Sequence, residues 1–333
     1  MVTNQVVLSE LEAKSTSKVI PVILLFVAVL TLSFAAILIK WSEQDIGPNA
    51  TVFNRFWISF VVLGLLQGIK SLVSQFSGNS PTQQHTYTLQ DVLLLIVSAI
   101  VTSISQISWC WSLTETSVAN ANLLHNLTPV FTTLGGWLLL GHYFDRKFLM
   151  GMALAMGGAL TIGIQDLHIA AHNLIGDAWA LLSAVFYAAN FLVSEKLRVK
   201  FPTITILIWS CLLRSFLTFP VVLFTENRLF PSSLQGWLAV IFLAVVCQVI
   251  GAGILIYSIK RFSSGFTSLF LLLEPIITTI LAWFIFAESL SLVNMLIFSI
   301  VLVGIYLAKT GQGSDKAEMK IVAEDIVSES SGS

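Results

Sequence analysis

Residues 117–144 read SVANANLLHNLTPVFTTLGGWLLLGHYF, and residues 263–290 read SSGFTSLFLLLEPIITTILAWFIFAESL. An offset of about 146 positions lays one on the other, with Pro129 on Pro275, Thr132 on Thr278, Thr133 on Thr279 and Trp137 on Trp283. His142 falls on Glu288. A match at one fixed offset marks an internal repeat. Each stretch is apolar enough to cross a bilayer, which takes roughly 20 such residues. Each also carries a proline near its middle. A proline there removes one backbone hydrogen bond and frees a carbonyl one turn earlier. The carbonyls concerned are those of His125 and Leu271. Interrupted backbone at membrane depth is tolerated where protein or a wet cavity satisfies it.

The composition fits that reading. The chain has 333 residues, 56% of them hydrophobic and only 11% charged, with a mean hydropathy of +0.87. Soluble domains carry about 25% charged residues, so the sequence predicts an all-α polytopic membrane protein. The three cysteines, Cys110, Cys211 and Cys247, lie in apolar stretches. An odd number so placed gives neither a disulfide framework nor a metal-ligand spacing. No cofactor and no nucleic-acid partner are implied.

Ten spans are expected, at about 19–39, 53–72, 92–113, 119–140, 148–164, 174–193, 204–224, 234–259, 266–287 and 292–308. Residues 1–18 are polar and read as a cytoplasmic tail, and 310–333 as a disordered cytoplasmic tail. Lysine and arginine in short loops set the orientation. With the N-terminus inside, 13 of the 17 basic residues fall on the inner side. Lys40 and Arg228 fall outside, and Arg55 and Arg214 lie within spans. Both termini are therefore expected in the cytoplasm, and a multi-pass protein of a bacterial inner membrane is expected because no organelle-targeting segment is visible. Trp41, Trp57 and Trp237 fall near outer span ends, where aromatic belts lie.

The repeat runs further than the opening pair. Arg55-Phe56-Trp57-Ile58-Ser59-Phe60 resembles Arg214-Ser215-Phe216-Leu217-Thr218-Phe219, and Gly158 falls on Gly304. The halves, 19–165 and 174–309, then hold five spans each. Five is odd, so the halves cross the membrane in opposite senses. Such inverted repeats are the architecture of many secondary transporters, and paired interruptions in the two halves point to the substrate site.

Several short motifs recur in the same order: Arg55 with Arg214, Leu127-Thr128-Pro129-Val130-Phe131, Leu138-Leu139-Leu140-Gly141, Leu273-Glu274-Pro275, Ala287-Glu288, and Gly176-Asp177 opening the second half. By these the chain resembles the drug/metabolite transporter superfamily, EamA type. The resemblance covers residues 19–308 and implies ten helices in two inverted five-helix repeats around a central cavity. It implies a small organic substrate in a lipid bilayer, no enzyme activity, and a monomer or homodimer. One departure is visible: the first half ends Gly141-His142, where the family often has Gly-Glu.

The polar residues inside the spans are the candidate site. Glu274 stands out, because a carboxylate at a helix centre costs about 2.5–3.5 kcal/mol on insertion scales. Either it lines the cavity and couples a proton, or it pairs with Arg214 for packing. Asn122, His125 and Asn126, with Pro129 and Thr132, make a polar sector on the fourth span, and Thr278 shares a face with Glu274 beside Pro275. Asparagines and a lone histidine also serve as interhelical hydrogen bonders. Trp109, Trp111, Tyr187 and Tyr257 lie on helices that wall the cavity in the resembling family, although membrane aromatics commonly serve packing. Arg55 and Arg214 are expected in structural ion pairs. Gly151, Ala155, Ala159 and Gly163 form a small-residue seam on the fifth span, read as helix packing.

The leading function is secondary transport, outward, of small organic metabolites or drug-like compounds by alternating access. An organic-phosphate or nucleotide-sugar exchanger is the alternative within transport, and a transport-inactive receptor or scaffold the alternative outside it. An intramembrane enzyme needs clustered acids or a nucleophile–base pair; one deep acid and one deep histidine lie on different helices.

Overall fold

A computed structural model describes residues 20–76, 87–116, 118–165, 174–286 and 292–316. Those residues form helices, and the only β pairing among them is an isolated bridge between Phe262 and Asp315. We number the helices in chain order. α1 is Ile20–Ser42, turned at Phe34. α2 is Pro48–Phe76, α3 Leu89–Glu115, α5 Arg146–Gln165, α6 Leu174–Lys200, α7 Thr203–Thr225 and α10 Leu292–Thr310. α4 comes in two pieces, Val118–His125 and Thr128–Leu140, and so does α9, as Ser264–Phe270 and Leu273–Phe286. α8 runs from Leu234 to Ser258 and is wound as a π-helix over Leu243–Ala252.

Eight of these are long and apolar enough to cross a membrane: α1, α2, α3, α6, α7, α8, α9 and α10. The chain is thus an integral, multi-pass helical membrane protein. Ten crossings were expected, and α4 and α5 stand outside those eight. α4 is divided into pieces of 8 and 13 residues, and α5 is a single helix of 20.

Helix ends are marked by local chemistry. Thr88 and Asp91 form a reciprocal capping box at the start of α3. Ser233 and Ser263 cap α8 and α9 with their hydroxyls. Such caps are each worth about 1 kcal/mol, because they satisfy an orphan N–H. Gly141 ends α4 at φ 67°, the left-handed conformation glycine takes without strain.

The packing repeats the symmetry of the sequence. α5 lies along α10, α2 along α7, and the second piece of α4 against the first piece of α9. Exchanging the halves maps each of those pairs onto itself. The same exchange maps α3–α6 onto α8–α1, and both pairs are in contact. α5 and α10 approach closest. A Cβ on Gly151 would come within 2.3 Å of the Ala308 amide nitrogen, and one on Gly304 within 2.4 Å of the Ala155 nitrogen. The Gly151–Ala155–Ala159 seam is therefore an intramolecular contact; Gly163 lies where no side chain is described. The main core joins α1, α5, α8, α9 and α10 through Leu25, Phe148, Leu243, Phe266 and Val301. The outward faces carry large apolar side chains such as Leu65, Leu139, Phe216 and Tyr306, as a surface that meets lipid tails requires.

The two ends of the bundle differ. At one end, Asp45 after α1 accepts hydrogen bonds from the amides of Ser232 and Ser233 and from both hydroxyls. Those bonds, led by the Ser232 hydroxyl and the Ser233 amide, hold the Asp45 carboxyl well below the usual carboxylate range. Glu226 likewise accepts from the amides of Asn49 and Ala50 at the start of α2. An aromatic cluster of Phe53, Trp57, Phe230 and Trp237 lies beside them.

At the other, basic end, the chain does not leave the bundle at residue 310 as the tail expectation had it. Gly311–Lys316 folds back over the α4–α5 and α8–α9 turns, with Gly311, Gly313, Ser314 and Asp315 buried. Backbone partners at those turns hold it, and its low hydropathy alone gave no sign of them. Residues 317–333 and 1–18 lie outside the described residues.

Candidate functional site

Both proline positions sit at helix breaks. In α4 the break falls at Asn126 and Leu127, and Pro129 is the second residue of the following piece. In α9 it falls at Leu271 and Leu272, with Glu274 in the first turn of the following piece. The carbonyls expected to be free are taken. The Thr128 hydroxyl donates to the His125 carbonyl at 2.6 Å, and the Glu274 amide donates to the Leu271 carbonyl at 2.8 Å. Local groups thus satisfy the backbone that proline interrupts.

Around the α4 break, His125 Nδ1 is 3.0 Å from the Ser183 hydroxyl of α6. Its ring stacks on Tyr187 at 5.3 Å, and Tyr187 meets Phe191 edge-on. Ser105 of α3 donates to the Ser183 carbonyl at 2.9 Å. His125 is thus an interhelical link between α4 and α6 with an aromatic wall beside it.

Around the α9 break, the Ser33 hydroxyl of α1 donates to the Glu274 carbonyl at 3.4 Å, and Thr278 donates to the Ser33 carbonyl at 3.5 Å. The Glu274 carboxylate lies at a helix N-terminus, where the peptide dipoles favour negative charge. Arg55 is the cation whose charge acts on it. No acid lies within ion-pair distance of Arg55 or Arg214 among the described residues, so the expected ion pairs are replaced by hydrogen bonds. Arg55 Nε donates to Gln248 Oε1 at 3.0 Å. Arg214 donates to the Thr102 hydroxyl at 3.0 Å and lies 5.3 Å from the centre of the Phe56 ring. Gln248 belongs to the π-helical part of α8. π segments within α-helices often mark functional sites, but no sequence signal announced this one.

One face of α3 sets the candidate Trp109 in a row with Ser103 and Gln106. Ser103, Gln106 and Trp109 follow each other at helical spacing of three. Ser103 Oγ, Gln106 Oε1 and Trp109 Nε1 are buried without a hydrogen-bond partner, as is Arg214 Nε. Ser103 and Gln106 also line a narrow cleft with Asn49, Val52, Ile107, Thr218 and Val221. Leaving such an atom unsatisfied costs about 1–3 kcal/mol, so a water or a polar solute that bonded these atoms would offset that cost.

Not every candidate joins this group. Pro129 is buried, Pro275 and Asn126 are half-buried, and Asn122 is exposed. Trp111 is 56% exposed and packs edge-on against Trp179, and Tyr257 is also 56% exposed. Neither is buried with the groups described above. Among the described residues, no three His, Cys, Asp or Glu side chains could hold a metal.

Comparison with known proteins agrees with this architecture. The EamA-like transporter family matches residues 19–164 and 174–310, one match for each half. A transporter of Archaeoglobus fulgidus, uncharacterized, is 22% identical over 295 residues, spanning 87% of this chain and 97% of its own. The GDP-mannose transporter GONST1 of Arabidopsis thaliana is 25% identical over 157 residues, covering 47% of this chain and 44% of its own. A protein crystal structure superimposes with a TM-score of 0.71 over 86% of this chain and 96% of that one, at 17% identity, and so shares the fold. The protein with two matched halves, interrupted helices at equivalent places and a polar interior between them belongs to the EamA-like transporter family.

Proposed function

We propose that the chain is a secondary active transporter that exports a small organic metabolite or drug-like compound by alternating access. The observation that carries this is the meeting of the two helix breaks with buried and half-buried polar groups. His125, Tyr187 and Glu274 lie at or beside the interrupted parts of α4 and α9, and Arg55 and Arg214 bond from α2 to α8 and from α7 to α3. Rocking one half against the other exposes such a group to each side in turn. The aromatic His125–Tyr187–Phe191 wall suits a flat apolar part of the solute, and the polar groups fix its orientation. In this reading Glu274 exchanges the coupling proton. Both termini face the cytoplasm of a bacterial cell, and ten helices cross its inner membrane as two inverted repeats.

The test compares culture-medium metabolites from a strain lacking the protein with those from an overproducer. Compounds that change in opposite directions are then offered to purified protein in proteoliposomes. Accumulation driven by an imposed gradient supports the reading; no driven movement of any of them rejects it.

A second reading is exchange of an anionic, nucleotide-sugar-type solute. Two observations favour it: Arg214 Nε is buried and unpartnered, and one partial relative is named as a GDP-mannose transporter. Exchange that needs a counter-solute and ignores the pH gradient would select it.

A further inference from the structure

We propose that Gly311–Lys316 is a latch that ties the α5–α10 pair to α6 and the α8–α9 turn at the basic end, and that this end opens only after Lys316 leaves Glu195. The inference rests on the alternating-access reading above.

The strap is held on two sides. Toward the first half, the Asp145 amide donates to the Gln312 carbonyl at 3.1 Å. Toward the second, the Ser263 amide donates to the Ser314 carbonyl and the Lys316 amide to the Arg261 carbonyl, each at 3.0 Å. The Ser263 hydroxyl adds a bond to the Gly313 carbonyl at 2.7 Å. The seat admits only glycine at two points. Gly313 has φ 105°, and a Cβ there would come within 2.5 Å of the Phe144 ring. A Cβ on Gly311 would come within 2.5 Å of the Phe148 amide nitrogen.

Three segments converge on one carboxylate of a fourth. Glu195, near the end of α6, is 6% exposed. It accepts from Lys316 Nζ at 2.7 Å, from His142 Nε2 of the α4–α5 turn at 3.0 Å, and from the Ser264 amide at the start of α9 at 2.9 Å. These are the ends of the interrupted helices α4 and α9, so the cluster joins both at this end of the bundle.

The α5–α10 contact is backbone against backbone, and in this proposal the two helices move as one body. The strap leaves α10 at Thr310 and therefore travels with α5. Its bonds to residues 261–263 and to Glu195 are polar and reversible, and they cross from the α5–α10 body to α6 and the α8–α9 turn. They must part if α6 and the α8–α9 turn move relative to the α5–α10 pair.

Hydrogen–deuterium exchange in nanodiscs tests this on three variants. Lys316→Met removes the ion pair, Gly313→Val spoils the seat, and a chain ending at Thr310 removes the strap outright. The latch predicts at least several-fold faster amide exchange across 128–140 and 264–270 in every variant that folds, with the Asn49–Glu226 end unchanged. Faster exchange confined to 311–316, or no change when the strap is absent, overturns the proposal. The readout needs no solute, so failure of the latch is distinct from failure of transport, which the proteoliposome assay reads on the unmodified protein.

Discussion

Arg55 donates its Nε–H to Gln248 at 3.0 Å, joining α2 of the first half to α8 of the second. Arg214 makes the reciprocal bond to Thr102 at the same length, joining α7 to α3. Thr102 and Gln248 stand 146 positions apart, the same offset as Pro129 and Pro275. The repeat thus preserves a pair of crossing contacts as well as a pair of helix breaks.

The two contacts are not equally exposed. Arg214 is buried, at 8% exposure, whereas Arg55 is half-buried. Removing an acceptor from a buried donor costs about 1–3 kcal/mol, while a group that reaches water loses less. Thr102→Val should therefore lower the melting temperature in detergent more than Gln248→Leu does. Equal shifts would show that the two arginines sit in equivalent surroundings.

Close approach of α5 and α10 gives a second prediction. Side chains at Gly151 or Gly304 meet backbone atoms, which cannot rotate away. Gly151→Leu should cost about 1–3 kcal/mol or more through overpacking, and Gly157→Ala, with open space at its Cβ position, should be tolerated. Yield and monodispersity after detergent extraction read the difference. A well-folded Gly151→Leu would place the α5–α10 contact wrongly.

Asp45 gives a pH prediction. Its folded carboxyl lies well below the ordinary value, and the unfolded one titrates at about 3.9. A lowered folded value contributes stability above the unfolded pKa, and this is lost as pH falls through the folded one. The deficit of Asp45→Asn relative to the parent should thus stay flat between about pH 5 and pH 8 and narrow only below about pH 4. A deficit that varies across the neutral range would assign the tie to another titrating group.

Much of this architecture was legible because the bilayer constrains it. Long apolar runs, the Pro129–Pro275 offset and the Arg55–Arg214 pair follow from rules that act along the chain. What escaped depends on distant partners. Gly311-Gln312-Gly313-Ser314 reads as a polar tail until the α4–α5 and α8–α9 turns are beside it. Glu195 lies in the polar run Ser194-Glu195-Lys196, which reads as an interfacial helix end, yet it is buried under His142 and Lys316. The π winding around Gln248 has no proline to announce it. The open carbonyls expected at His125 and Leu271 were wrong because Thr128 and the Glu274 amide stand close enough to fill them.

Orientation is tested by single cysteines in a background lacking Cys110, Cys211 and Cys247. The bias of lysine and arginine places the Arg146 turn inside and Pro48 outside. An impermeant thiol reagent on intact cells should label a cysteine at Pro48 and spare one at Arg146. Labelling at Arg146 would reject the inverted ten-span arrangement.

The last prediction concerns Glu274. Its backbone is fixed at both sides, by Leu271 within the break and by Ser33 of α1. The carboxylate, in contrast, sits in the first turn of a helix, with Arg55 acting on it and no ion pair within reach among the described residues. A group so placed can change protonation without breaking the structure around it. Glu274→Gln keeps size and hydrogen bonding but cannot ionise, so it should fold and insert as the parent does. In proteoliposomes it should lose accumulation driven by a pH gradient, while solute exchange at equal pH persists and Glu274→Asp retains part of the driven rate. Full pH-driven accumulation by Glu274→Gln would show that the proton is carried elsewhere. Loss of insertion would make the carboxylate a packing element, since breaking a buried charge contact costs about 3–5 kcal/mol. Arg55→Gln separates those cases: if Glu274 and Arg55 act as a structural pair, the double substitution should recover stability that each single one loses.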